Sequence, residues 1–265
     1  MNSREIVLYY ALKFKGDWNS IYDAISSKEE LDEEEAQKVI SKVNSKYVTL
    51  FDPEYPKQLS QICKPPFVLF YQGDISLLSD DKRKIAVVGS RKFSEYGQKM
   101  TEKLVKGIAK DFIVVSGLAK GIDAIAHKAA IDAGGKTIAV LGNGINFHYI
   151  KENKELFDEI RTNHLVISEY PNMTQPNPEY FPVRNRIIVG MTNHLLVTEG
   201  KIASGTQITA LLMVAKSGDV CCVPTQAGED SICNYLIKEG AYLVETPEDI
   251  YVATGVDIAK PIFEM

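Results

Sequence analysis

At 265 residues, 45% hydrophobic and 25% charged, the chain has the composition of an ordinary soluble globular protein of one large domain or a little more. No apolar run approaches the roughly 18 residues of a membrane span, and MNSREIVLYYALKFKGDW lacks the basic start and unbroken apolar core of a secretory leader. The formal net charge of −5 argues against a uniformly basic nucleic-acid binder.

That average hides a segregation. Residues 1–52 carry 7 Lys+Arg against 10 Asp+Glu and residues 219–265 carry 2 against 9, whereas residues 53–218 carry 21 against 16. Local charge, not the total, decides whether a polyanion docks. The basic excess falls on the stretch that also carries the glycine-rich turns described below.

In chain order, residues 1 to about 46 read as helical. Ile6, Leu8, Tyr9 and Leu12 open an amphipathic pattern that Trp18, Ile21, Tyr22 and Ile25 continue, and Val39, Ile40 and Val43 close it. The acidic run Asp32-Glu33-Glu34-Glu35 complements the dipole at a helix start. Residues 1–50 are therefore expected to form an N-terminal helical domain. Residues 51–83, with X-Pro bonds at Asp52-Pro53, Tyr55-Pro56 and Lys64-Pro65 and the apolar run PPFVLFYQGD, read as an extended connector that adds an edge strand to the core.

From Lys84 the period becomes regular. Strands are expected at Ile85–Gly89, Phe112–Ser116, Thr137–Gly142, Leu165–Glu169, Leu195–Thr198, Val220–Val223 and Tyr242–Glu245. Helix-length amphipathic segments lie at Glu95–Ala109, Ile122–Ala133, Lys151–Ile160, Thr206–Ala215 and Ile232–Glu239, and Arg184-Asn185-Arg186 opens another apolar helix. This alternation predicts an α/β fold over residues 84–255, a mostly parallel sheet with helices on both faces, and a short tail over 256–265. The four cysteines show no Cys-x-x-Cys spacing, so Cys221 and Cys222 read as small apolar fillers and a reducing cytoplasm fits.

The chemistry is bounded first by exclusion. Gly142-Asn143-Gly144 is followed by Phe147 where a dinucleotide fingerprint needs its third glycine, and no Walker motif is present. The four histidines show no metal-ligand spacing, and G-x-S-x-G is missing. No cofactor, metal or catalytic residue is expected.

What remains is a series of strand-end turns: Gly89-Ser90-Arg91, Ser116-Gly117 leading to Lys120, Gly142-Asn143-Gly144, and Ser204-Gly205-Thr206, joined by Arg184, Asn185 and Arg186. Small residues let backbone N–H groups approach an anion, helix N-termini favour phosphate, and arginine forks grip it bidentately. Several such loops on one sheet edge make a groove, which suits a strand of phosphates.

The ordered series GSR, SGLAKGIDAIAH, GKTIAVLGNG, SEYP, FPVRNRIIVGM, SGTQITA and LIKEGA resembles the DNA-processing protein A family (DprA, also called Smf) over about residues 55–250. The resemblance implies an extended Rossmann-like core that forms homodimers, binds single-stranded DNA without sequence preference and loads the RecA recombinase onto it, in the cytoplasm and with no membrane partner. It places a phosphate contact on Arg91 and a second on Lys151, within Tyr149-Ile150-Lys151 where the family often has Tyr-Pro-Lys. It puts the dimer and partner surface on Asn234 to Leu243, with Asn234, Tyr235, Ile237, Lys238 and Leu243 as its members. Pro224-Thr225 and Ile232 depart from the family's pattern beside that surface. No winged-helix domain, which some members append after the core, is expected here.

Bland readings stand beside these. Ser204, Thr206 and Thr209 also suit an N-cap and a helix face, Arg184 and Arg186 also suit loop bracing, and Phe147, Tyr149 and Phe157 suit either base stacking or core. Asp123 and His127, four apart, read as a hydrogen bond within one helix. The rival functional class is a nucleoside-monophosphate phosphoribohydrolase, but Thr209 stands where that group has its catalytic glutamate after a Gly-Thr pair. A regulator that senses one mononucleotide in the same groove is a third reading.

Overall fold

The structure, a computed structural model, describes residues 1–80, 83–147 and 151–256, and of Lys151 the backbone only. Three helices come first: α1 (Ser3–Lys13), α2 (Trp18–Ser26) and α3 (Glu33–Ile40). Each starts where a side chain satisfies free N–H groups: Asn2 with Glu5 in a capping box, Asp17, and Asp32, whose carboxylate accepts from Glu34 and Glu35. The acidic run thus lies in the first turn of α3, as its sequence suggests.

The chain then enters a sheet. Its strands are β1 (Lys46–Thr49), β2 (Val68–Gly73), β3 (Arg83–Val88), β4 (Phe112–Ser116), β5 (Lys136–Leu141), β6 (Leu165–Ser168), β7 (His194–Val197), β8 (Asp219–Cys222) and β9 (Tyr242–Leu243). Short helices α4 (Lys57–Ser60) and α5 (Ser76–Ser79) flank β2. Helices α6 (Glu95–Ile108), α7 (Ile122–Asp132), α8 (Lys154–Asn163), α9 (Tyr180–Gly190), α10 (Gly205–Ala215), α11 (Ile232–Lys238) and α12 (Pro247–Ala253) complete the alternation.

The strand order is β1-β2-β6-β5-β4-β3-β7-β8-β9, with β1 and β2 antiparallel to their neighbours and the rest parallel. This is a Rossmann-like α/β fold. The strand expected at the edge within residues 51–83 is β2, and it lies one place in, because β1 pairs along its outer side.

Side-chain alternation assigns the layers. Ile85, Val87, Phe112 and Val114 face α6, α7 and α12, while Ala86, Val88, Ile113 and Val115 face α9, α10 and α11. Adjacent Cys221 and Cys222 fall on opposite faces, both fully buried, as small apolar fillers should. A third cluster joins Leu8, Tyr10 and Ile21 of the first helices to Phe70, Leu141 and Val166 of the sheet and to Phe157 and Ile160 of α8. Helix α12 is an element the apolar period did not reveal. Its signal is local: Thr246 and Asp249 form a capping box around Pro247 in the first turn.

Candidate nucleic-acid interface

The loops after β3, β4 and β5 stand side by side at the carboxyl edge of the sheet, where α/β folds bind ligands. They enclose a cleft of about 470 Å³ lined by Arg91, Lys92, Lys120 and Arg184, with Glu152 as the one acidic lining residue among the described residues. Its floor is apolar: Leu118, Leu141, Phe147, Phe157 and Phe181. Arg91 is exposed, its guanidinium 5.6 Å above the ring of Phe181. Among the described residues neither Arg91 nor Lys92 forms an ion pair, whereas exposed Lys120 meets Glu152 at 3.6 Å.

Arg184 is built in. It is 4% exposed, and it donates through Nη1 to the carbonyls of Gly117 (3.0 Å) and Val140 and through Nε to Asn185 Oδ1 (3.2 Å). Burial lowers its pKa to about 10, with Arg91 pushing the same way and the Asp123 carboxylate opposing. Gly117 lies between the two: a Cβ there would stand 2.4 Å from Arg184 Nη2 and 2.7 Å from Asp123 Oδ2. Only glycine fits.

The glycine turns do not offer free amides in the way their sequence suggests. Ser90 N–H donates to the Glu199 carbonyl (2.9 Å), Gly117 N–H to Asp123 Oδ2 (3.1 Å) and Gly144 N–H to the Thr174 carbonyl (2.8 Å). The N-terminus of α6, which in a dinucleotide fold would hold pyrophosphate, is taken by the Glu199 carboxylate, at 2.9 Å from Ser94 N and 2.8 Å from Ser94 Oγ. Gly97 leaves it room, since a Cβ there would stand 1.9 Å from Glu199 Oε2. Gly89 packs against Ile122 and Glu199 O. A protein carboxylate thus occupies the place of a cofactor phosphate, and the cations of the cleft are left as the anion-binding groups.

The other expected residues divide. Ser116 is buried and donates to Val87 O, and Asn143 is buried and donates to Gly144 O and Phe147 O, so both hold their turns in shape. Gly142 lies under Phe181. The backbone of Lys151 opens a 3₁₀ turn, Lys151–Asn153, that Asn153 ties to the loop after β4 by donating to Leu118 O at 3.1 Å. The turn therefore stands at the rim of the cleft. Tyr149 lies outside the described residues.

Arg186 is not in the cleft. It forms an ion pair with buried Glu169 at 2.6 Å and donates to Lys64 O at 3.0 Å. Ser204, Gly205 and Thr206 begin α10 away from the cleft lining. Ser204 Oγ donates back to Lys201 O rather than capping the helix, and Thr209 links Asn185 Nδ2 (2.9 Å) to Gly205 O (3.0 Å). Asp123 and His127 do not bond each other; Asp123 reaches Gly117 N and His127 Nδ1 meets Thr137 Oγ1 at 2.6 Å. One helical turn apart, they reach different neighbours, Asp123 the loop after β4 and His127 strand β5.

On the expected partner surface, Tyr235, Lys238 and Leu243 are exposed. Asn234 instead holds the loop after β8 through Thr225 N, Thr225 O and Gln226 O, and Ile237 packs on the core. Lys92, Phe181 and Glu199 are the contributors that sequence reasoning missed. Lys92 simply follows the GSR turn, but nothing in the spacing shows that Glu199 folds over α6.

A family model described as DNA recombination-mediator protein A matches residues 46–255. The chain belongs to this family. The DNA processing protein DprA of Streptococcus pneumoniae is 45% identical over 204 residues, covering 76% of this chain and 72% of that protein. The DprA of Bacillus subtilis is 39% identical over 207 residues, covering 77% and 69%. Among solved structures, the S. pneumoniae DprA superposes with a TM-score of 0.79 at 37% identity, covering 95% of this chain and 93% of that one. The DprA of Helicobacter pylori, whose structure is described as revealing a single-stranded DNA binding mode, gives 0.72 at 27% identity over 80% of this chain and 96% of that one. Among the described residues no helix is long and apolar enough to cross a membrane.

Proposed function

We propose that the chain binds single-stranded DNA without sequence preference, as a homodimer, and hands the strand to the RecA recombinase in recombination and natural transformation. It acts as a binding protein and not as a catalyst. The observation that carries this reading is the lining of the cleft: among the described residues, four cations against one carboxylate, set over a floor of leucine and phenylalanine. Phosphates pair with Arg91, Lys92, Lys120 and Lys151, while Arg184 fixes the floor and adds its field from below. Bases turn their faces to Phe147 and Phe181, which a duplex with its bases stacked inside does not allow. Membership of a recombination-mediator family and the H. pylori relative support the same assignment.

The phosphoribohydrolase alternative needs a carboxylate base at the start of α10, and Thr209 is tied there to Asn185 and Gly205 instead. Fluorescence anisotropy with matched single and double strands tests the proposal, in rising salt and with excess mononucleotide. The single strand is expected to bind more tightly, to weaken with salt, and to resist the mononucleotide. Arg91→Ala should weaken every sequence by about 10-fold or more, as loss of a charged phosphate contact implies, and flatten the salt slope by about 1. Preference for the duplex, or turnover of the mononucleotide, would overturn the reading.

A further inference from the structure

The carboxyl edge of the sheet does not end at the cleft. The turn between α1 and α2 rests on the end of β6: a Cβ on Gly16 (φ +81°) would stand 2.7 Å from Glu169 O and 3.0 Å from Tyr170 Cδ1. Two residues later Trp18 opens α2, its Nε1 donating to Pro65 O at 2.7 Å. The indole stacks on Tyr22 (centroids 5.0 Å apart, 12° between planes) and on Phe67 (5.4 Å, 27°). Lys64 Nζ sits 5.3 Å over the indole, held by Asn19 Oδ1 at 2.7 Å.

Two features set this stack apart from core packing. The buried face of α2 is carried by Ile21 and Ala24, whereas Tyr22 is 50% exposed and Lys64 is exposed. A half-exposed tyrosine ring backed by a half-buried indole, with a cation over that indole, is the form of a base-stacking platform. The stack is also joined to the cleft. Lys64 O accepts from Arg186 Nε at 3.0 Å, and Arg186 lies on α9, the helix that presents Phe181 and Arg184 to the cleft. Five residues of helix from Phe181 to Arg186 rise about 7.5 Å, which is the axial step along α9 from the cleft to the contact with Lys64.

Charge gives the direction. Beyond β7 and β8 the same sheet edge holds a depression lined by Glu199, Glu229, Asp230 and Glu245, with Lys201 as its one cation among the described residues. A strand leaving the cleft on that side meets carboxylates, and on the β6 side it meets Lys64 and the aromatic stack. We propose that Trp18, Tyr22 and Lys64 form a platform for bases of the same single strand whose phosphates the cleft holds. This rests on the single-strand reading above and gives the N-terminal helices a part in it.

Trp18 is the chain's single tryptophan, so its emission reports this site alone. The whole protein is titrated with an end-labelled oligothymidylate of about 20 nucleotides, long enough to cover cleft and platform, with anisotropy and tryptophan emission read together. The series is repeated with an abasic strand of equal length. Thymine stacking is expected to quench Trp18 in step with anisotropy, and the abasic strand to bind with little quenching. Tyr22→Ala should weaken the long strand about fivefold and leave a strand of about 4 nucleotides unaffected. Rising anisotropy with unchanged emission, or equal quenching by the abasic strand, overturns the platform and leaves the cleft standing. Unchanged anisotropy on every strand overturns the single-strand reading itself.

Discussion

At the scale of single residues, the site rests on buried polar groups that never meet the ligand. Thr137 Oγ1 donates to Val114 O at 2.8 Å, so its contact with His127 Nδ1 requires the imidazole to donate through Nδ1–H. Burial pushes the pKa of His127 down to about 3. The unfolded chain takes up that proton near pH 6.5 and the native state does not, so the stability this group permits is complete above about 6.5 and falls as pH drops toward 3. The loss approaches about 1.4 kcal/mol per pH unit for one proton. Urea denaturation of wild type and His127→Phe at pH 7.5 and 5.5 checks this: wild type should lose about 1.4 kcal/mol more than the variant between the two pH values. Identical slopes would mean that His127 is protonated in the native state.

At the scale of elements, α9 does two jobs with one face each. Phe181 and Arg184 build the cleft, and Arg186 pairs with Glu169, whose carboxyl burial pushes up in pKa against the pull of that arginine. Arg186→Ala would leave a buried carboxylate without its cation, which costs about 3–5 kcal/mol. Thermal unfolding should show that loss, while a strand short enough to fill only the cleft binds the folded variant much as it binds wild type. A large loss of short-strand affinity with intact stability would place Arg186 on the ligand instead. The pair Arg184 and Arg186 also marks the limit of what the chain says about itself. Strand runs such as FIVVS and the glycine breaks after them are local signals, so β3 to β8 and the existence of a loop cluster were legible from spacing. Which arginine turns into the cleft depends on helix rotation against β5 and β6, and which amides are free depends on Glu199 and Asp123 arriving from elsewhere. Those are tertiary facts, invisible to periodicity.

At the scale of the whole molecule, the sheet stops at β9, two exposed residues paired on one side with β8. Among the described residues its other side pairs with no strand, its own Tyr242 and Leu243 (48% exposed) are open, and the preceding helix α11 carries exposed Tyr235. An open edge beside exposed aromatic and aliphatic side chains favours association with a like edge. A two-fold pairing there would set two clefts in one particle. A strand long enough to enter both gains avidity with no new contact, by about 10²-fold or more, whereas a strand confined to one cleft gains nothing. Leu243→Arg places a charge at the centre of the patch and should give a monomer by sedimentation. Its affinity for a short strand should match wild type, while its affinity for a long strand should fall toward the short-strand value. If the monomeric variant holds long DNA as tightly as wild type, the two clefts do not share a strand. The length dependence of binding must then come from the path within one protomer, across the cleft to Trp18.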